Sequence, residues 1–457
     1  MKPGTMEPGT NLRNDRNIRN FRNLALVCLA VSFPTVLSAT DWPHWRGPSA
    51  TGVAASSPLP ATWSAADNVA WQAPLAGAGV SSPIVHGNRV FVTSQIGDGR
   101  RREGRHPTLT QGVDPSTAGE ATLSRRSRAQ VGFIVEAFDR STGKRLWIHE
   151  MAAEGELPPV HDKHNLSSAS PVTDGERVYA WYGTGQLVAL DMTGKPAWSK
   201  NLAKEYGAFD IQWGHSSSPA LFQDSLILLC YHPGSSYLLA LDKRTGAVRW
   251  KVDKAPGIES YSSPIVAPGP NGPELIVNSS VGVEAFDPTT GKSLWTYPEV
   301  NRFPIPVSMV DNGVLFLSRG YRSSPYMAIR LGGRGDITKT HVVWRVPTGG
   351  PYVSSLVHYQ GVIYMSTDNG IVSAVDASNG ERLWQERVGG TFSASPIAGD
   401  GKVYFVSEGG ETIVIKAGRT FEVIARNKLD GHFVASPAAD DGRIFLRADD
   451  RIYAVGK

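Results

Sequence analysis

A short unit recurs along this chain and limits the folds that the chain can adopt. It joins an apolar strand pattern to an Asp-x-x-Thr-Gly-type turn and a Trp. The clearest copies are EAFDRSTGKRLW (136–147), VALDMTGKPAW (188–198), LALDKRTGAVRW (239–250), EAFDPTTGKSLW (284–295) and SAVDASNGERLW (373–384). Repeats of roughly 40–50 residues with four short strand patterns each are typical of propeller blades. A ring of blades is a scaffold, and its function depends on its loops.

Each unit opens with a strand pattern marked by Ser and Pro, and these openings can be counted separately. They lie at 81–85, 168–172, 216–221, 262–266, 306–310, 354–358, 393–397 and 435–439. Eight openings predict an all-β, eight-bladed propeller of four-stranded antiparallel blades over residues 67–457. The last unit ends one strand short, and Asn68–Trp71 has the pattern of an outer strand. We expect this N-terminal strand to complete the last blade, because closure removes an exposed sheet edge.

The recurring residues of the unit have structural explanations. The Asp can accept backbone N–H groups across its turn, and the Gly can adopt a positive φ. The Trp offers a large apolar area to the seam between two blades. We therefore assign a structural role in the blades to Trp147, Trp198, Trp250, Trp295 and Trp384 and to Asp139, Asp191, Asp242, Asp287 and Asp376.

Three segments lie outside the repeat. Residues 1–39 place an apolar run of about 14 residues after a basic start, which is too short to span a bilayer and is typical of a signal peptide. The length of this basic start allows translation to begin at Met1 or at Met6. We expect the protein to be exported to the periplasm or the medium. Residues 40–66 form an irregular arm that is expected to cross the ring. Residues 97–130 are polar and lack periodicity, so we interpret them as a flexible insertion in the first blade.

Charge and cysteine content exclude some functions. The formal net charge is +4, and most of it falls in residues 1–39, so the propeller has no electrostatic footprint for nucleic acid. Without the leader one cysteine remains, Cys230, which cannot form an internal disulfide.

Loops that enter the innermost strands line one mouth of a propeller's channel. The ligand-binding candidates at these positions are His161, His164, Asn165, Trp213, His215, Tyr261, Arg302, Tyr352 and His432. Aromatic rings can stack on a planar ligand, while His and Arg supply hydrogen bonds. The alternative is that these side chains fill the channel and satisfy strand ends. We predict no catalytic residue and no metal site, since no nucleophile elbow and no metal-binding loop occurs.

These units resemble the repeat of pyrroloquinoline quinone (PQQ) propeller proteins, which has an A-x-D-x-x-T-G-x-x-x-W pattern and Ser-Ser-Pro openings. The layout is similar to exported PQQ-like propeller proteins of bacteria through D-W-P-x-W-R-G-P (41–48), N-V-A-W (68–71) and H-x-x-H-N (161–165). A more distant similarity is to the propeller component of the outer-membrane barrel-assembly machinery, a non-enzymatic scaffold.

The resemblance implies a cofactor only for part of the family. Quinoprotein alcohol dehydrogenases carry a vicinal Cys-Cys disulfide against the quinone and a Ca²⁺ held by Glu, Asn and Asp, and neither the cysteine pair nor a Ca²⁺ loop occurs here. We therefore expect no cofactor, with PQQ and Ca²⁺ as the alternative.

The resulting prediction is an exported, non-catalytic scaffold or binding protein with an envelope protein partner. The alternatives are a PQQ-dependent oxidoreductase and a propeller that binds a carbohydrate or another small ligand in its funnel. Neither nucleic acid binding nor an integral membrane protein is predicted.

Overall fold

The computed structural model describes residues 41–54, 58–99, 102–103, 122–123, 130–321 and 323–456. Eight antiparallel blades of four strands confirm the predicted eight-bladed all-β propeller. Seven blades take their four strands from one unit, and the eighth takes its outer strand from the beginning of the propeller. One short α-helix, Leu202–Tyr206, occurs in the described part of the chain. The predicted signal peptide lies outside the described residues. So does most of the 97–130 insertion, in which the strands Arg102–Glu103 and Thr122–Leu123 pair with each other.

Blades are numbered along the chain, with strands given from the channel outwards. Blade 1 consists of Ile84–His86, Arg89–Ile96, Gly132–Asp139 and Arg145–Ala152. Blade 2 consists of Val172–Thr173, Arg177–Trp181, Gln186–Asp191 and Pro196–Asn201. Blade 3 consists of Ala220–Phe222, Ser225–Cys230, Tyr237–Asp242 and Val248–Asp253. Blade 4 consists of Ile265–Gly269, Gly272–Ser279, Gly282–Phe286 and Ser293–Pro298.

The remaining four blades follow the same order. Blade 5 consists of Met309–Asp311, Val314–Ser318, Tyr326–Arg330 and Val342–Val346. Blade 6 consists of Val357–Tyr359, Val362–Ser366, Ile371–Asp376 and Arg382–Arg387. Blade 7 consists of Ile397–Gly399, Lys402–Val406, Glu411–Lys416 and Val423–Lys428. Blade 8 consists of Ala438–Asp440, Arg443–Arg447, Arg451–Val455 and the N-terminal strand Val69–Pro74.

The ring closes as predicted, because Val69–Pro74 pairs antiparallel with Arg451–Val455 in blade 8. The buried Arg447 strengthens this closure by donating to the carbonyl of Ser81 (3.0 Å) and the hydroxyl of Ser94 (2.9 Å) in blade 1. Since the strand comes from the beginning of the chain, it joins both ends of the propeller in one sheet.

The hydrophobic core is divided among the seams between neighbouring blades. In the seam between blades 2 and 3, for example, Tyr179 and Leu187 pack with Leu228 and Leu239, all fully buried. The outer Trp of one blade also donates its indole N–H to a turn carbonyl of the next. These bonds run from Trp71 to Arg140 (2.8 Å), Trp147 to Met192 (3.0 Å), Trp198 to Lys243 (3.1 Å), Trp250 to Pro288 (3.2 Å) and Trp344 to Ala377 (2.9 Å).

Two features favour glycine at the position where the turn contacts the Trp of the preceding blade. Gly143 has a φ of +70°, and a Cβ atom there would lie 2.5 Å from the indole of Trp71. The Asp of the same turn accepts backbone N–H groups, as Asp139 does from Thr142 (2.8 Å). The turn sequence therefore provides a flat platform for the Trp of the preceding blade.

Blades 4 and 5 depart from the regular pattern. The outer strand of blade 4 pairs in parallel with a fifth strand, Gly335–Asp336, from the connection inside blade 5. Blade 5 lacks the Asp-x-x-Thr-Gly turn, so the fully buried Trp295 instead donates to the Glu274 carboxylate of its own blade (2.7 Å). The turn that would receive Trp384 in blade 7 is also irregular, and within the described residues the indole N–H of Trp384 has no hydrogen-bond partner.

Candidate functional site

The channel wall consists of the innermost strands and the residues that lead into them. Because side chains alternate along an extended chain, residues two apart face the same side. Nearer the loops, the cavity is lined by Val80, Ser168, Ser216, Tyr261, Ile305, Val353, Ser393 and Val434. Two residues further along, it is lined by Ser82, Ser170, Ser218, Ser263, Val307, Ser395 and Ser436. The cavity has a volume of about 580 Å³, a size typical of small-molecule sites.

The recurring serines join neighbouring blades around this channel. Backbone N–H groups donate to the hydroxyl of the following blade from Ser82 to Ser170 (2.9 Å), Ser170 to Ser218 (2.9 Å), Ser218 to Ser263 (2.8 Å), Val307 to Ser355 (2.9 Å), Ser355 to Ser395 (2.9 Å) and Ser395 to Ser436 (2.9 Å). A hydroxyl that accepts such a bond can still donate its own proton. The wall is therefore rich in hydroxyl groups that are already held in place.

The segment 41–54 crosses one end of the channel. Trp42 forms a backbone bridge with Val85 of blade 1, and Val53 forms one with Ala398 of blade 7. Between these points Arg46 is buried and donates to the carbonyl of Thr51 (2.8 Å) and to the carbonyl of Leu356 in blade 6. The adjacent Trp45 lines the cavity. This segment thus forms the floor of the cavity, and the opposite end is the mouth.

Four aromatic residues cover one half of the mouth, and we call them the aromatic arc: Trp213, Tyr261, Phe303 and Tyr352. They precede the inner strands of blades 3, 4, 5 and 6 in turn, and all four line the cavity. The ring centroids of Tyr261 and Phe303 are 6.0 Å apart, and Tyr321 connects Phe303 (5.4 Å) to Tyr352 (5.3 Å). Contacts of this kind hold the rings in a continuous apolar surface.

Polar and charged groups occupy the other half of the mouth. The Lys163 ammonium pairs with Glu408 (2.9 Å), which also accepts a hydrogen bond from the hydroxyl of Ser393. Although burial opposes it, these two partners lower the pKa of the Glu408 carboxyl. Asp368 lines the cavity nearby, and burial raises its pKa to about 6. Asp368 is a carboxyl group that can change its protonation state near neutral pH.

The loop between blades 1 and 2 brings two histidines to this mouth. His164 Nε2 lies 2.7 Å from the carbonyl of Trp213, and its Nδ1 lies 3.0 Å from the hydroxyl of Ser168. The ring of His161 meets that of Trp213 edge-on, with centroids 5.6 Å apart. Both imidazoles are therefore tied to the loop that precedes blade 3.

The structure places five of the nine ligand-binding candidates in the cavity wall: His161, His164, Trp213, Tyr261 and Tyr352. The other four lie outside this lining. Asn165 donates to the carbonyl of Ala78 (2.9 Å), and His215 is buried behind the wall. Arg302 is exposed over the ring of Phe303, and His432 lies 3.2 Å from Asp449 at the surface. Side chains alternate in direction along an extended chain, so His215 points away from the cavity while the next residue, Ser216, faces it.

Sequence reasoning missed Asp368, Lys163 and Trp45. Asp368 lies in the turn between the second and third strands of blade 6, and this turn reaches the same mouth as the loops before the inner strands. Lys163 belongs to the same loop as His161 and His164, and no local pattern relates it to its partner Glu408, which is 245 positions away. A search of the turns between second and third strands would have found both carboxylates.

Among the described residues, no group of three or more His, Cys, Asp or Glu side chains is arranged to hold a metal ion. The short helix in that part of the chain, Leu202–Tyr206, lacks the length and apolar character needed to span a membrane.

A ring of eight four-stranded blades, with serine-joined inner strands and Asp-Gly turns beneath outer tryptophans, defines a PQQ-like β-propeller. The chain belongs to the family described as outer membrane protein assembly factor BamB, whose model matches residues 132–302, 335–391 and 368–456. The resemblance inferred from the sequence is thereby confirmed.

Individual relatives are distant. The chain is 27% identical over 296 residues to a tetrathionate hydrolase of Acidithiobacillus ferrooxidans, covering 60% of this chain and 53% of that protein. It is 23% identical over 290 residues to the BamB protein of Yersinia pestis, covering 62% and 59%. The chain thus spans little more than half the length of these curated relatives.

Solved structures agree on the architecture. BamB from Moraxella catarrhalis superposes with a TM-score of 0.51 at 16% identity, covering 80% of this chain and 98% of that one. A europium-containing methanol dehydrogenase superposes with a TM-score of 0.50 at 14% identity, covering 82% and 89%. At these identities the similarity establishes the fold.

Proposed function

We propose that this protein is an exported, non-catalytic binding protein that holds a carbohydrate in its channel cavity. The observation that carries the proposal is the asymmetry of the cavity wall, in which the aromatic arc faces hydroxyl and carboxyl groups. A sugar ring has apolar C–H faces and a polar edge of hydroxyl groups. Its face would pack on Tyr261 and Tyr352, and its edge would contact Ser393, Asp368 and Asn369, all of which line the cavity.

The charge of the mouth favours an uncharged ligand. Lys163 is the single Lys or Arg among the described residues that line the cavity, and Glu408 already neutralises it. A carboxyl group such as Asp368 can accept hydrogen bonds from ligand hydroxyls when ionised and donate one when protonated. Export is part of the proposal because the leader is typical of a signal peptide and the family is named for an outer-membrane assembly factor.

The same residues do not fit PQQ with Ca²⁺. PQQ is a planar tricarboxylate, so a site for it needs several cationic partners, and Ca²⁺ needs six to eight oxygen ligands. The described cavity wall offers one ammonium, which is already paired, and carboxylates that would repel the quinone. The aromatic arc could stack on a planar ring, but the charge balance opposes this ligand. We therefore propose that the cavity takes no PQQ.

A thermal-shift series with purified protein tests the carbohydrate proposal. Glucose, galactose, N-acetylglucosamine and maltose are the probes. A sugar at ten times its Kd stabilises the folded state by ~1.4 kcal/mol, which raises the Tm of a propeller of this size by about 1–2 °C. Tyr261→Ala removes part of the aromatic arc and is expected to weaken binding at least about tenfold, or ~1.4 kcal/mol.

The matched control is Tyr206→Ala. Tyr206 packs against Tyr237 with ring centroids 5.2 Å apart and is outside the cavity lining. Binding should therefore be unchanged in this variant. The proposal fails if no sugar of the series raises the Tm, or if Tyr261→Ala binds as well as the control.

A second candidate function is an envelope scaffold for a protein partner, and the family match favours it. Filling the cavity separates the two functions, because Ser216→Phe alters the channel wall and leaves the exposed loops unchanged. If the protein is a scaffold, a crosslinked pull-down should recover the same envelope partner with Ser216→Phe as with the wild type. A protein that needs its cavity would lose its ligand in this variant. Repeated recovery of no partner at all would contradict the scaffold.

A further inference from the structure

The loop between blades 1 and 2 makes a contact that crosses the mouth of the channel. Lys163 belongs to this loop, and its ammonium lies 2.9 Å from Oε1 and 3.2 Å from Oε2 of Glu408. Glu408 belongs to the turn between the second and third strands of blade 7. In the ring, blades 8 and 1 lie between blade 7 and this loop. The loop and its ion pair together therefore extend past the inner ends of two blades. We call residues 160–165 the strap.

The two ends of this contact differ in how firmly they are held. Glu408 is fixed in its turn, since its side chain is 13% exposed, accepts the hydroxyl of Ser393, and lies 3.6 Å from His432 Nε2. The Lys163 side chain is 38% exposed and can rotate away into water. If the pair breaks, the strap loses this attachment to blade 7.

The base of the strap is attached to the near side of the ring. The backbone N–H of His161 donates to the carbonyl of Trp213 (3.0 Å), and Asn165 donates its side-chain amide to the carbonyl of Ala78 (2.9 Å). These bonds anchor the strap to the loop before blade 3 and to blade 1. The strap is therefore connected at both sides of the mouth. Its attachment to the far side includes the Lys163–Glu408 ion pair, in which the lysine side chain is partly exposed.

We infer that the strap is a gate over the cavity and that the Lys163–Glu408 ion pair is its latch. Opening of the latch uncovers the wall of blades 8 and 1, where Val434 and Val80 line the cavity. Blade 5 stands opposite blade 1 in the ring, so its wall residue Ile305 lies away from the strap. The gate controls entry along one side of the mouth, whichever ligand the cavity takes.

Thiol labelling tests this inference without a known ligand. Val434→Cys places a thiol beside the latch, because the backbone N–H of the preceding Phe433 donates to the carbonyl of Glu408 (3.0 Å). Ile305→Cys places a thiol on the opposite wall of the cavity. Both are made with Cys28→Ser, and the buried Cys230 serves as the blank. The rate of modification by N-ethylmaleimide is measured at each position. Adding Lys163→Ala should raise the rate at position 434 about fivefold, which corresponds to ~1 kcal/mol for the latch, and change the rate at position 305 by less than about twofold.

Two further measurements keep the outcome clear if Lys163→Ala folds poorly. Glu408→Gln should give the same selective increase, and exchanging the charges with Lys163→Glu and Glu408→Lys together should return the rate towards that of the wild-type latch. Lys204→Ala breaks the exposed Lys204–Glu154 pair and should leave both rates unchanged. Equal rates at position 434 with and without the latch overturn the inference, as do equal increases at both positions, which would indicate general loosening.

Discussion

Two buried histidines predict a specific sensitivity of this propeller to acid. His215 and His232 lie in the seam of blades 2 and 3, with His215 4.3 Å from Trp181 and both rings within about 5.1 Å of Phe209 by centroid. His215 Nε2 lies 3.1 Å from the carbonyl of Leu229. Neither ring nitrogen of His232 has a hydrogen-bond partner among the described residues. Burial lowers the pKa of His215 to about 3 and that of His232 to about 4.

The direction and size of the effect follow from these values. In the unfolded chain both imidazoles have pKa values near 6.5, so below that pH the unfolded state binds protons that the folded state does not. Folding stability is therefore full above about pH 6.5 and falls as the pH decreases towards the folded pKa values. At pH 5 each histidine lowers the free energy of unfolding by ~2 kcal/mol relative to pH 8, or ~4 kcal/mol for the two together.

Urea unfolding at pH 8 and pH 5 measures this loss, and His232→Leu isolates one contribution. The variant removes the titrating group and keeps a similar side-chain volume, so the loss between the two pH values should shrink by ~2 kcal/mol. The control, Leu228→Val, alters the packing of the same seam without changing a titrating group and should retain the full loss. The reasoning is refuted if His232→Leu and the wild type lose the same free energy between pH 8 and pH 5.

Three substitutions test the packing of the blades by urea unfolding at neutral pH. Gly143→Ala should destabilise the protein by ~1–3 kcal/mol more than Gly87→Ala. Both glycines have a positive φ, but only a Cβ atom at position 143 meets the ring of Trp71, so equal losses of stability would contradict this contact. Trp295→Ala removes a fully buried indole and should cost ~3–5 kcal/mol, so a loss below ~1 kcal/mol would be inconsistent with its burial. Arg447→Met removes the buried hydrogen bonds that join blade 8 to blade 1, with an expected loss of ~3 kcal/mol, and an unchanged stability would show that ring closure does not depend on them.

Much of the fold could be predicted from the sequence because the repeat combines local and long-range requirements. The Asp-x-x-Thr-Gly turn, the serine at the inner strand and the outer Trp each contact a neighbouring blade, so their recurrence predicts both the blade and the ring. The missing fourth strand of the last unit likewise predicted the pairing of Val69–Pro74 with Arg451–Val455. The added strand Gly335–Asp336 was not predictable, since two residues carry no periodic pattern and the pairing depends on the outer edge of blade 4.

The candidate site was less predictable because it depends on side-chain direction and on distant contacts. A shift of one residue along an extended chain decides whether His215 or Ser216 faces the cavity. The latch joins two turns that are 245 residues apart, and no local pattern relates them. The aromatic arc was found in part because Trp213, Tyr261 and Tyr352 occupy positions just before the inner strands, where the mouth of a propeller lies.

The most direct test of the channel cavity as the binding site is a titration calorimetry measurement with the sugar that gives the largest thermal shift. Ser216→Phe places a large side chain in the cavity wall and leaves the outer surface of the blades unchanged. The binding constant should fall at least about tenfold in this variant while its Tm stays within about 3 °C of the wild type. An unchanged binding constant would show that the ligand binds outside the channel and would contradict the central claim.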